Sequence, residues 1–160
     1  MLKTPKILNI LELKIPPLVI FLAFATTMWL LAKAAPTATY TLPAKKLLAL
    51  SIGAVGGVFA GAAIFSFIRA NTTIHPSHPG KSTALVTSGV YAITRNPMYL
   101  AILLVLAGWA TYLANLAALI VLPLFVAYLN RFQILPEERA LTALFAEEFA
   151  DYCKRVRRWL

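Results

Sequence analysis

Between Lys45-Lys46 and Arg69 the chain runs from Leu47 to Ile68 without a single charged residue. About 20 apolar residues is the length an α-helix needs to cross the hydrocarbon core of a bilayer. In lipid each backbone N–H and C=O must be satisfied within the protein, and a helix does this within one segment. Three more long, largely apolar runs follow from the sequence, about Pro16–Leu31, Met98–Tyr112 and Leu116–Ile134. The sequence therefore predicts an all-α integral membrane helical bundle with about four transmembrane helices, over residues 16–31, 47–68, 98–112 and 116–134. At 160 residues and 60% hydrophobic, the chain has room for one membrane domain, 1–160, and the bilayer replaces a large aqueous core.

Local signals refine these spans. Only Leu113-Ala114-Asn115 separates the last two, which predicts an antiparallel helical hairpin. Pro97 suits the first turn of the third span, where its missing N–H costs nothing, and Pro123 predicts a kink inside the fourth. Gly53, Gly57 and Gly61 share one face of the second span. Such a face permits close helix approach, either inside the bundle or in a homodimer.

Charge sets the orientation. With the N-terminus inside, Lys3, Lys6, Lys14, Arg69, Lys81, Arg95, Arg131, Arg139, Lys154, Arg155, Arg157 and Arg158 fall on the cytoplasmic side, against Lys33, Lys45 and Lys46 outside. The expectation is an integral protein, of a prokaryotic inner membrane, with both termini and the active site cytoplasmic. A competing reading takes the first run as a signal peptide cleaved at Ala32-Lys33-Ala34, leaving three spans. The formal charge of +9 flanks apolar runs and forms no basic stripe with interleaved aromatics, so it fits anionic lipid headgroups and not nucleic acid. One cysteine, Cys153, excludes an internal disulfide. No Cys/His cluster has zinc spacing, so no metal is expected. His75-Pro-Ser-His-Pro79 reads as a solvated loop, with a substrate gate or an incidental metal contact as the alternative.

A polar cassette, residues 85–101, stands immediately before the third span: Leu85-Val-Thr-Ser-Gly-Val-Tyr-Ala-Ile-Thr-Arg-Asn-Pro-Met-Tyr-Leu-Ala101. Non-helical polar backbone next to a bilayer is tolerated where protein buries it or where it lines a water-accessible cavity. Just past the fourth span, Glu137 and Glu138 open a segment, 136–159, that reads as one amphipathic interfacial helix anchored by Trp159. Leu141, Leu144, Phe145, Phe149, Tyr152 and Val156 recur along it at helical spacing. A basic cassette and an acidic pair, both at span ends, point to a membrane-interface site. Taken alone, Arg95 and Arg131 also read as interface anchors, Glu137 and Glu138 as helix N-terminal charges, and Tyr91 and Tyr99 as aromatic-belt residues.

Gly89-Val-Tyr91 with Arg95-Asn-Pro-Met-Tyr99 resembles the G-x-Y…R-[HN]-P-x-Y signature of membrane methyltransferases related to isoprenylcysteine carboxyl methyltransferase and phospholipid methyltransferase. Glu137-Glu-x-x-Leu141, Phe145-Ala-Glu-Glu-Phe-Ala-Asp-Tyr152 and Val156-x-Arg158 resemble the same family's ending, and the likeness covers about Thr72–Leu160. The resemblance implies S-adenosylmethionine-dependent methyl transfer to a lipophilic, membrane-accessible thiol, carboxylate or amine. It implies cofactor binding by Leu85, Val86, Gly89, Tyr91, Arg95, Asn96, Pro97, Tyr99, Glu137 and Glu138, with Arg95, Arg131 and Glu138 as the catalytic set. Arg95 and Tyr99 would share a helix face if the third helix began before Arg95. Three positions depart from the pattern: Asn96 stands where a histidine is common, and Ala101 and Ala146 stand where glycines are common, the latter two read as packing positions. Where carboxyl-methylating members carry an arginine just before the acidic pair, this chain has Gln133 and Arg131 nearby. Membrane lipids and a lipophilic small molecule are the implied partners. The alternatives are a nicotinamide-dependent membrane reductase of the sterol reductase type and a non-catalytic lipid-binding scaffold.

Overall fold

The computed structural model describes residues 12–70 and 84–160. The His75/His78 loop, Lys3, Lys6 and Lys81 lie outside the described residues. The chain is an all-α membrane helical bundle. Its elements are α1 (Pro17–Ala34), α2 (Lys45–Arg69), α3 (Pro97–Leu113), α4 (Leu116–Leu119), α5 (Val121–Leu129), a π-helical turn (Asn130–Ile134) and α6 (Leu135–Arg155), with short 3-10 turns at Pro36–Ala38 and Gly89–Ala92. At about 1.5 Å per residue the 25 residues of α2 extend about 37 Å, more than the hydrocarbon core requires. The run Leu116–Arg155 is 40 residues long, about 60 Å, and apart from Arg131 its charges begin only after Pro136. Its apolar residues are therefore concentrated in the first half, before α6. The chain divides into two compact units.

One unit comprises Pro17–Gly61 and Met98–Ala127. Here α1 meets the later spans through the Phe24–Phe125 edge-to-face pair, with ring centroids 5.1 Å apart, and through Trp109 Nε1, which donates to the Ala25 carbonyl at 3.0 Å. The hairpin turn rests on Asn115, which is fully buried. Its Oδ1 accepts the Ala117 and Ala118 N–H groups at 3.0 and 3.4 Å, a helix N-cap, while its Nδ2 donates to the Ala35 carbonyl and to Thr39 Oγ1 at 2.8 and 3.0 Å. A buried amide with every bond made ties the α1–α2 connection to the hairpin in one register.

The glycines of α2 behave differently from the expectation. A Cβ at Gly53, Gly57 or Gly61 would meet open space, so this stripe does not make the close helix contact. Gly56 makes it, since a Cβ there would come within 2.8 Å of the Ala101 carbonyl oxygen. Gly108 on α3 answers it, with 2.8 Å to the Ala49 carbonyl oxygen.

The other unit comprises Met1–Pro16, Ala62–Pro97 and Tyr128–Leu160. Its core is Phe149, Tyr152 and Val156, against which Leu85, Leu141, Phe145 and Cys153 pack. α6 departs from a single amphipathic helix over 136–159. It is kinked at Ala146 (φ 38°, ψ −107°), stops at Arg155, and continues as an extended tail from Val156. The fourth span is interrupted at Ile120, one turn before Pro123, whose missing N–H leaves the Leu119 carbonyl without its helical donor. The π turn has a similar cause. Pro136 offers no N–H to the Phe132 carbonyl, which instead accepts the Leu13 N–H at 3.0 Å.

Candidate functional site

Glycine and β-branched residues keep the segment before α3 out of a helix, and the fold uses it as a platform. Gly89 has φ +64°, a left-handed conformation, and a Cβ there would approach Ser66 Oγ to 2.9 Å. This conformation turns Tyr91 inward, where its ring packs edge-on against Phe67 at 5.4 Å. The Tyr152 hydroxyl donates to the Tyr91 carbonyl at 2.6 Å. Burial pushes the Tyr91 phenol well above its ordinary pKa, with Tyr152 and Glu137 adding to the shift, so the ring stays neutral.

Thr94, Arg95 and Asn96 then fasten the C-terminal tail. Thr94 Oγ1 accepts the Asn96 N–H and donates to the Arg158 carbonyl, both at 3.2 Å. Asn96 Nδ2 donates to the same carbonyl at 2.9 Å, and the Arg95 N–H donates to the Arg157 carbonyl at 3.0 Å. Asn96 thus acts as a donor to backbone, a task that an amide performs at any pH. Arg95 Nη1 reaches the Cys153 and Val156 carbonyls at 3.3 and 2.9 Å. These are acceptors left over at the end of α6, so Arg95 closes that helix.

The two sequence motifs, more than forty residues apart, meet on one carboxylate. Arg95 Nη2 donates to Glu138 Oε1 at 2.8 Å. Arg158 grips both oxygens, Nε to Oε1 at 3.0 Å and Nη2 to Oε2 at 2.6 Å. Burial pushes the Glu138 carboxyl upward, but the hydrogen bonds from Arg158 and Arg95 outweigh it and hold the group below its ordinary pKa. Glu138 is therefore ionised at neutral pH, and two guanidinium groups facing one carboxylate leave the cluster with a net positive charge. Three of the carboxylate's roughly four lone-pair positions are filled, so one remains for a further donor. Arg95 Nε is buried and has no hydrogen-bond partner among the described residues.

Glu138 also lines a groove of about 430 Å³ with Leu135, Arg139, Thr142, Phe149, Ala150 and Cys153. That volume falls within the range of about 300–1,000 Å³ usual for small-molecule sites. The bend at Ala146 lies between the two stretches of α6 that form its walls.

Of the residues picked from sequence, the structure brings Leu85, Tyr91, Arg95, Asn96 and Glu138 into one network around α6 and its tail. Val86, Pro97 and Tyr99 are buried. α3 begins at Pro97, so Arg95 precedes the helix and the periodicity that would align it with Tyr99 does not apply. Glu137 stands in the first turn of α6, next to Glu138. Arg131 is tied to Glu12, whose second oxygen takes Arg139, and it stacks over Phe132 at 5.2 Å. Ala146 is a correction: its positive φ makes it a backbone position, where glycine sits without strain, and not a matter of packing alone.

Sequence reasoning assigned no role to Arg158, Thr94 or Glu12. Arg158 stood in the quoted Val156-x-Arg158 element, which was the available signal; nothing in the sequence marked Glu12.

The family model described as phospholipid methyltransferase matches residues 44–148. An uncharacterized protein of Haemophilus influenzae is 41% identical over 63 residues, which are 39% of this chain and the whole of that protein. The cobalt-zinc-cadmium resistance protein CzcN of Cupriavidus metallidurans is 39% identical over 76 residues, 48% of this chain and 35% of that protein's length. No solved structure matches the chain.

Proposed function

The chain belongs to the phospholipid methyltransferase family, and from that membership we propose that it transfers a methyl group from S-adenosylmethionine to a lipophilic acceptor reached from the bilayer. The acceptor presents a thiol, amine or carboxylate. The observation that carries this reading is the Arg95–Glu138–Arg158 cluster, which joins both halves of the motif beside a groove of small-molecule size.

The residues present fit the cofactor. Its amino-acid tail offers a carboxylate and an ammonium, and its ribose offers two hydroxyls. The net positive cluster with its orphaned Arg95 Nε suits the carboxylate. The open lone-pair position on Glu138 suits a hydroxyl or the ammonium. S-adenosylmethionine, when bound, supplies an electrophilic methyl on a sulfonium that leaves as a neutral thioether. The protein's part is to hold and align. Arg95 and Arg158 orient Glu138, and the cluster keeps that carboxylate charged. The cassette residues Leu85, Val86, Gly89, Tyr91, Asn96 and Pro97, of which Val86, Tyr91, Asn96 and Pro97 are buried, would bound the site with Glu137 and limit water. Arg131, at the end of the fourth span, is paired with Glu12 and takes no part in holding the cofactor.

This reading places the chain in a prokaryotic inner membrane with both termini and the site on the cytoplasmic side. The open Gly53/Gly57/Gly61 face is left to lipid or to a second copy of the chain, which Gly57→Ala and cross-linking tell apart.

Calorimetry on protein reconstituted in nanodiscs tests the site. Glu138→Gln, Arg95→Gln and Arg158→Gln should each weaken S-adenosylmethionine binding by about 1.5–3 kcal/mol, roughly ten- to a hundred-fold. Glu147→Gln, well away from the cluster in sequence and charge pairing, should change little. Equal small effects from all four substitutions would remove the site assignment. Binding of a reduced nicotinamide in place of S-adenosylmethionine would replace the methyltransferase reading with the reductase.

A further inference from the structure

A second ionic cluster, centred on Glu12, stands beside the groove that Arg139 helps to line. One oxygen of Glu12 takes Arg131 and the other takes Arg139. Two guanidinium groups converging on one carboxylate form a fork whose donor geometry suits any oxyanion with two adjacent oxygens, a phosphate above all.

The π turn assembles the fork. Arg131 and Arg139 are eight residues apart, and in an uninterrupted α-helix that spacing would separate them by about 80° around the axis. A π turn closes over one more residue than an α turn, so positions beyond it lag by about 100° and the two arginines come close to one face. The fork therefore stands where the fourth span gives way to α6, at the depth where lipid headgroups lie.

Apart from the Glu12 side chain, the segment Glu12–Ile15 is fastened by the Leu13 N–H to the Phe132 carbonyl at 3.0 Å and by Gln133 Nε2 to the Ile15 carbonyl at 2.9 Å. Arg139 is 60% exposed, so an incoming anion reaches the fork through it. Of the two ion pairs, the one to Arg139 is exposed and contributes little while the one to Arg131 is largely buried, and exchanging one oxyanion for another leaves the charge of the fork unchanged.

We propose that Arg131 and Arg139 form a binding site for the phosphate of an anionic membrane lipid, with the Glu12 carboxylate as a built-in occupant that the headgroup displaces. The lipid acts here as an anchor and not as a methyl acceptor. The site rests on the ion pairs and on the membrane placement of the chain, and its test does not involve methyl transfer.

The probe is phosphatidylglycerol carrying a dansyl label on an acyl chain, added to full-length protein in phosphatidylcholine nanodiscs. It bears no thiol, amine or carboxylate in its headgroup. Energy transfer from tryptophan should report binding that unlabelled phosphatidylglycerol reverses and phosphatidylcholine does not. Arg139→Gln, at an exposed position that should fold normally, and Arg131→Gln should each weaken binding about tenfold. Glu12→Gln should strengthen it by about the same factor. Hydrogen exchange at the Leu13 amide should rise when the lipid binds, because the segment is released. Unchanged affinity in Glu12→Gln, or retained affinity in Arg139→Gln, would overturn the proposal. So would lipid binding that leaves Leu13 exchange unaltered. Reversal by inorganic phosphate as effective as by unlabelled lipid would overturn the lipid assignment in favour of a soluble oxyanion.

Discussion

Ala146 adopts φ 38° and ψ −107° in the middle of α6, a conformation that costs an L-residue with a Cβ about 1–2 kcal/mol. Glycine adopts positive φ without that cost, though it loses more entropy on folding. Ala146→Gly should therefore stabilise the protein by up to about 1 kcal/mol, and Ala146→Val, with a branched Cβ, should destabilise it by more than that. Thermal unfolding in detergent measures both. Glu138 makes a second prediction at this scale. Its folded pKa lies below the ordinary 4.5, so its ion pairs contribute stability that is full above about pH 4.5 and is lost as pH falls through the lower folded value. The wild-type melting temperature should drop along that acid limb, while Glu138→Gln, which has no charge to titrate, should lose the part of the slope owed to this group. An identical acid limb in both proteins would show that the carboxylate is not held by Arg95 and Arg158.

Packing between α2 and α3 turns on which glycines face the partner helix. Gly56 and Gly108 each meet a carbonyl oxygen at 2.8 Å from where a Cβ would stand, whereas Gly57 meets nothing. Gly56→Ala and Gly108→Ala should force the helices apart and cost about 1–3 kcal/mol. Gly57→Ala should be neutral or stabilise by about 0.5–1 kcal/mol, because it removes a helix-interior glycine from open space. Denaturant titration of the three variants ranks them. A loss at Gly57 comparable with that at Gly56 would mean that a second copy covers the open face, which cross-linking would then detect. The π turn belongs to this scale as well. The seven-residue spacing from Arg131 to Glu138 would put them on one face of a plain α-helix, within about 20°. The turn's extra residue pairs Arg131 with the side of Arg139 and Glu12.

For the whole molecule the testable statement is orientation. The basic residues divide twelve to three between the two sides under a four-span reading. In a Cys153→Ser background, single cysteines at Thr37 and at the exposed Ser88 should label from opposite sides of sealed vesicles. Labelling of both from the same side would remove the first crossing and, with it, the cytoplasmic assignment of the site.

Apolar run length determined the long helices from sequence alone, because a bilayer leaves each backbone polar group to be satisfied within the chain and a helix is what meets that demand. Pro97 marked where α3 begins and Pro123 marked the break in the fourth span, since a missing N–H acts locally. The partnership of Arg95 and Glu138 was legible only as two half-motifs in order. That Arg158 completes it, and that Arg95 closes the end of α6, depends on a tail folded back across residues 94–96. The rest followed from rotations of a single residue. One register step separates Gly56 from Gly57, one extra residue in a π turn moves Arg131 toward Glu12, and one positive φ bends α6 at Ala146. Periodicity cannot register such steps, because about 100° of helix rotation changes which side chains meet while leaving the apolar pattern nearly unchanged. Tertiary packing decided them.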